Sequence, residues 1–195
     1  MFLIHYFSML ITICAITLLF CYVHDMYPSK TYPAHVHTSI YIDRNFSSEE
    51  QEYITAAALD WSINTNHIID YDIIPLPSSE KISLVNSLIF IKMSTDNPNI
   101  ILLDHAKKNT TLAFYNESGP LPFIAVVSDR LDEDNYKEVM LHELGHSLGL
   151  EHVKGDDGLD TLMYPYVELG ATHITPTDLK QFCKLYRCDA NKLQH

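Results

Sequence analysis

The spacing of apolar positions changes several times along the chain, and each change predicts a different element. Phe2 to Val23 is almost continuously apolar, broken only by His5, Ser8, Thr12 and Thr17, and carries no Lys, Arg, Asp or Glu. Such a run reaches the roughly 20 residues that a bilayer-spanning helix needs. Two readings of residues 1–24 follow, a transmembrane anchor or a secretory signal peptide. The run's length and its lack of a basic start favour the anchor, since a signal peptide carries about 7 to 15 apolar residues behind a charged region. Pro28 and Pro33 among small polar residues then mark 25–34 as a linker.

Beyond the linker the pattern is that of a folded domain over 35–190, followed by a short tail at 191–195. In His35 to Asp43, Val36, Ile40 and Ile42 share one alternation and His37 and Ser39 the other, which predicts a strand. His35 and His37 share a strand face and read as half-exposed histidines rather than ligands. Ser47 and Ser48 stand before Glu49, Glu50 and Gln51, a capping box that opens a helix. Tyr53, Ala57 and Trp61 recur at four-residue spacing with Ile54 and Ala58 beside them, so this helix runs to about Asn64 and packs on a sheet. Ile68–Ile74, Leu84–Met93, Thr110–Tyr115 and Phe123–Ser128 are β-rich runs separated by proline, glycine and polar residues. Asp132 or Asp134 caps a second helix through Tyr136, Val139, Met140, Leu144 and Leu148. The mixture of strands and helices predicts an α/β fold.

Chemistry enters on the second helix. His142 and His146 are four apart and project from one face a turn from each other, which suits two zinc ligands. Glu143 lies about 100° round the helix from His142, where a carboxylate can reach a metal-bound water without itself coordinating. In a continuous helix His152 would lie about 15 Å along the axis from His142, out of reach of a shared ion. Gly149 removes that obstacle, because it can adopt positive φ, end the helix and turn the chain back. The pattern H-E-x-x-H-x-x-G-x-x-H has five specified positions and arises by chance in roughly one in twenty thousand chains of this composition. It points to a zinc-dependent endopeptidase that hydrolyses peptide bonds through a zinc-bound water, with Glu143 as general base. A zinc-binding module without turnover and a zinc hydrolase of a non-peptide bond are the other classes compatible with the ligands.

Leu162, Met163, Tyr164 and Pro165 resemble the Met-turn of the metzincin peptidases, with Met163 as a hydrophobic floor beneath the histidines. Together with Thr175 to Tyr186, including Asp178, Leu179, Phe182, Leu185 and Tyr186, the segment is most similar to the matrixin catalytic domain. The resemblance implies a twisted, mostly parallel five-stranded sheet with an active-site helix, a backing helix and a C-terminal helix. It makes Thr110–Tyr115 the edge strand on which an extended substrate pairs. It places the wall of a substrate pocket at Tyr166 or Val167, although the family's tyrosine stands two residues after the proline and Val167 occupies that place here. It also implies structural Ca2+ or a second Zn2+, for which His105, Asp104 and Asp129 are the suggestive residues, without the family's glycine-rich loop. No cysteine lies between Cys21 and Cys183, so an inhibitory cysteine peptide is not expected.

Composition narrows the partners. The net charge is −12 and no basic cluster occurs, which excludes a phosphate backbone and leaves protein or peptide substrates for what is expected to be a monomer. Cys14 and Cys21 lie in the apolar run, so Cys183 and Cys188 can pair with each other or with another chain. In continuous helix they would stand about 7.5 Å apart along the axis. A bridge therefore requires the helix to end before Cys188. A membrane-anchored or secreted protein with an extracytoplasmic catalytic domain is the resulting expectation, and Asn45, Asn109 and Asn116 would then each begin a glycosylation sequon.

Overall fold

The computed structural model describes residues 35–193, apart from 79–81, 83–84, 108–109, 155–158 and 167–169. The apolar N-terminal run, its linker and Val167 therefore lie outside the described residues. Among the described residues, no helix is long and apolar enough to cross a membrane.

Strand β1 (Val36–Ile42) buries Ile40 and Ile42, while His37 is exposed and meets Asp72 at 2.6 Å. Helix α1 (Ser48–Asn64) starts at Ser47, whose Oγ accepts from Glu50 N as the Glu50 carboxylate accepts from Ser47 N. This capping box satisfies two amides that the first turn cannot pair internally. Ile54, Ala57, Ala58 and Trp61 form the buried stripe of α1. The chain then enters β2 (Ile69–Pro75), which pairs parallel with β1, and β3 (Ser87–Met93), which pairs parallel with β1 on its other side. After α2 (Pro98–Lys107), β4 (Ala113–Asn116) and β5 (Phe123–Val127) complete a five-stranded sheet of order β2-β1-β3-β5-β4. Four strands are parallel, and β4 runs antiparallel to β5 at the edge. Helices α3 (Glu133–Ser147) and α4 (Pro176–Tyr186) follow. The fold is α/β, with α1 packed against α3 and with α4 following near the C-terminal end of the described residues.

One helix and one strand start differ from the sequence pattern for visible reasons. Helix α2 falls in a stretch to which the sequence pattern assigns no element, because Ile100 to Leu103 form one apolar block without period. Only Ile100 of that block is fully buried, whereas Ile101 and Leu102 are exposed. The helix starts through Asn97, whose carbonyl accepts from Ile100 N and Ile101 N and whose side chain accepts from Asn99 N. Strand β4 begins at Ala113 rather than Thr110, since the residues before it are held elsewhere. Thr111 N donates to the Asp104 carboxylate and Thr111 O accepts from Arg130.

Trp61, Phe90, Phe182, Ile54, Met140, Leu144 and Met163 are fully buried in the core between the sheet and its helices. Phe182 stacks on Tyr186 with centroids 4.2 Å apart and meets Trp61 at 6.3 Å, joining α4 to α1. Helix α4 stops at Arg187, which adopts φ 57°. That left-handed residue turns Cys188 back so that its amide donates to Cys183 O, and the two cysteines form a disulfide with Cα atoms 4.5 Å apart.

Candidate metal centre

Helix α3 carries the centre, and its placement is over-determined. Asp132 is the N-cap: its carboxylate accepts from Asn135 N and Asn135 Oδ1 accepts from Asp132 N, both at 3.1 Å. Trp61 Nε1 donates to Leu141 O at 3.0 Å, and Tyr53 stacks on Tyr136 at 5.3 Å, so α1 fixes both position and rotation of α3. The C-terminus closes with Gly149 at φ 88°. Gly149 N donates to His146 O and Leu150 N to Gly145 O, the paired bonds of a Schellman motif, with Leu150 buried as its apolar anchor. The chain then reverses, and Val153 N donates to Met163 O at 2.9 Å.

That reversal brings the third histidine to the other two. His152 Nε2 lies 3.1 Å from His142 Nε2 and 3.0 Å from His146 Nε2. His142 Nδ1 donates to Leu162 O at 2.7 Å and His146 Nδ1 to Leu150 O at 2.9 Å. These bonds place the ring protons on Nδ1 and turn the Nε2 lone pairs of both rings towards His152. Converging acceptors at this separation fit a cation: a tetrahedral ion with bonds of about 2.0 to 2.1 Å has ligand nitrogens about 3.3 Å apart. Burial, followed by its histidine neighbours, pushes the His142 imidazole down to about 3, so the ring is neutral and ready to coordinate. Among the described residues, this trio is the only group of three or more His, Cys, Asp or Glu whose ligand atoms gather closely enough for a metal. Glu143 is buried beside them and is not one of the gathered ligands.

The support beneath the rings includes residues that the motif does not mark. Met163 is fully buried, and its sulfur packs so closely on Gly145 that a side chain there would collide with it. Asp178, also fully buried, accepts from Leu162 N, Met163 N, Thr175 N and Thr175 Oγ1. One carboxylate thus holds the turn whose Leu162 carbonyl orients His142. Gln181 on α4 clasps the His152 turn from outside, accepting from Glu151 N at 2.7 Å and donating to Glu151 O at 3.1 Å.

Other residues of the sequence reading lie apart from this centre. Asp104 pairs with Arg130 at 2.8 Å, Asp129 accepts from Thr95 N, and His105 is exposed, so these three form no metal group. His35 and His37, at the start of β1, face Asp70 and Asp72 of β2. Tyr166 is about half exposed and tilts towards Tyr164 at 6.0 Å.

Comparison with known proteins agrees with this geometry. The matrixin family of peptidases, M10, matches residues 22–187. Among solved structures the fold is similar to archaemetzincin from Methanopyrus kandleri, at 11% identity and TM-score 0.50 over 77% of this chain and 95% of that one. It is also similar to high choriolytic enzyme 1, a hatching-enzyme zinc protease from the medaka Oryzias latipes, at 12% identity and TM-score 0.50 over 80% and 92%. No curated protein sequence matches the chain.

Proposed function

The chain belongs to the matrixin family and is a zinc metallopeptidase acting on peptides or proteins; from that premise we propose that it is an endopeptidase with Glu143 as general base. The observation that carries the proposal is the convergence of the His142, His146 and His152 Nε2 atoms with Glu143 at the next helical position, buried and outside the ligand set. His142, His146 and His152 would hold a zinc ion, which would supply a polarised water and a positive charge for the scissile carbonyl. Glu143 takes a proton from the attacking water and later delivers it to the departing amine, so the carboxylate is regenerated as the C–N bond breaks. His142 and His146 keep their rings oriented through Leu162 O and Leu150 O, which avoids reorganisation during the reaction. Strand β4, at the edge of the sheet and packed against α3, offers backbone for pairing an extended peptide, which suits cleavage within a chain.

Glu143→Ala is the test. The variant is expected to bind one zinc with unchanged affinity while kcat on a mixed peptide library drops by about 10² to 10⁴. Full turnover in the zinc-loaded variant would remove Glu143 from this role.

We also read the protein as exported, either anchored or secreted. The Cys183–Cys188 bridge supports an oxidising compartment. N-terminal sequencing of the mature protein distinguishes an anchor retained at Phe2–Val23 from a signal that has been removed.

A further inference from the structure

One buried acid on α3 has no part in the hydrolytic machinery. Glu138 is 9% exposed, yet among the described residues it has no hydrogen-bond or ion-pair partner. It is not among the gathered metal ligands. Burial alone acts on its carboxyl and raises it to about 7. Its oxygens keep some access to water, and a carboxylate with so little of it and no cation or amide donor beside it gains from a cation brought to it.

Its position says where such a cation would come from. Glu138 precedes His142 by four residues and His146 by eight, so the three side chains share one face of α3. Its Cα lies about 6 Å along the axis from that of His142. An extended peptide advances about 3.3 Å per residue. A side chain one or two residues from the bond being hydrolysed therefore reaches the Glu138 level. The same helix packs against β4, so a peptide paired along that edge would pass this face. The net charge of −12 favours the approach of cationic substrates.

We propose that Glu138 is a specificity residue whose carboxylate receives a lysine or arginine side chain flanking the scissile bond. Hydrolysis then falls next to basic residues. The inference rests on the cleft being a peptide-hydrolysing site, and it adds the class of side chain selected there.

The experiment compares fluorogenic peptides that carry arginine, lysine or norleucine at each position flanking the scissile bond, with the zinc-loaded full chain and its Glu138→Gln variant. For the unaltered protein, kcat/KM is expected to favour the basic residue by about tenfold or more at one position, the size of one well-placed ion pair. Glu138→Gln should cut that preference to about threefold or less while keeping turnover of the norleucine peptide. Binding of the same peptides to Glu143→Ala and to Glu143→Ala/Glu138→Gln, read by fluorescence anisotropy, gives a measure independent of turnover. There the arginine peptide should lose affinity and the norleucine peptide should not. Cleavage without basic preference, or a preference unchanged in Glu138→Gln, overturns the inference and leaves the peptidase reading in place. Glu138-dependent binding of basic peptides without any cleavage does the reverse.

Discussion

A methyl group on Gly145 would lie 2.5 Å from the Met163 sulfur and 3.3 Å from Trp61 Cζ2. The turn bearing Met163 and the helix bearing His142 and His146 are therefore in contact at the one helical position that lacks a side chain. Gly145→Ala must push the fully buried Met163 aside, and the adjacent Leu162 carbonyl, which orients His142, moves with it. We expect a loss of about 1 to 3 kcal/mol in stability, the usual cost of overpacking a core. Zinc affinity should weaken as well. Chemical denaturation and a chelator competition measure the two effects, and a variant with unchanged zinc affinity would uncouple the Met163 turn from the metal centre.

Asp178 leads to a second prediction through the same turn. Its carboxylate gathers two amides of the Met163 turn and two donors of Thr175, all out of contact with water. Asp178→Ala leaves buried donors unpaired and should cost about 3 kcal/mol or more. With the turn released, Leu162 O no longer fixes the His142 tautomer, so zinc binding should fall alongside stability. Calorimetry with and without added zinc checks this: a Tm deficit equal in both conditions would confine Asp178 to a structural role.

The centre was legible in the sequence because its information is local. Two histidines one turn apart, a glutamate between them and a glycine able to reverse the chain need only helix geometry to be read. Ile40 and Ile42 on β1, Ser47 as a cap and the stripe ending at Trp61 were readable for the same reason. Gly145, the Asp178 bonds and the Gln181 clasp depend on contacts between segments far apart in the chain. Nothing in the spacing of Gly145 distinguishes close packing under Met163 from an ordinary helical glycine. Helix α2 is hidden because its apolar block has no period, and the strand expected from Thr110 starts only at Ala113 because Asp104 and Arg130 occupy the backbone of Thr111. His152 sits between these limits: Gly149 predicts a reversal, but the bond from Val153 to Met163 decides where the reversed chain goes.

The same Asp104 cluster predicts how the protein responds to acid. The Arg130 guanidinium, and after it the Thr111 amide, hold the Asp104 carboxyl down to about 2 against an ordinary 3.8. The folded value lies below the unfolded one, so the unfolded chain takes up protons first as pH falls. The stabilisation is therefore complete above about pH 4 to 5 and is lost as pH drops towards 2. Asp104 lies on α2, Thr111 leads into β4 and Arg130 follows β5, so the part released is the edge where the substrate is proposed to pair. Asp104→Asn keeps the shape and removes the charge. It should lower the unfolding midpoint at pH 7, and the gap from the unaltered protein should close as pH approaches 2. Thermal unfolding of both proteins across this range measures the gap. A gap that stays constant with pH would show that the charge of Asp104 contributes nothing to holding the β4 edge.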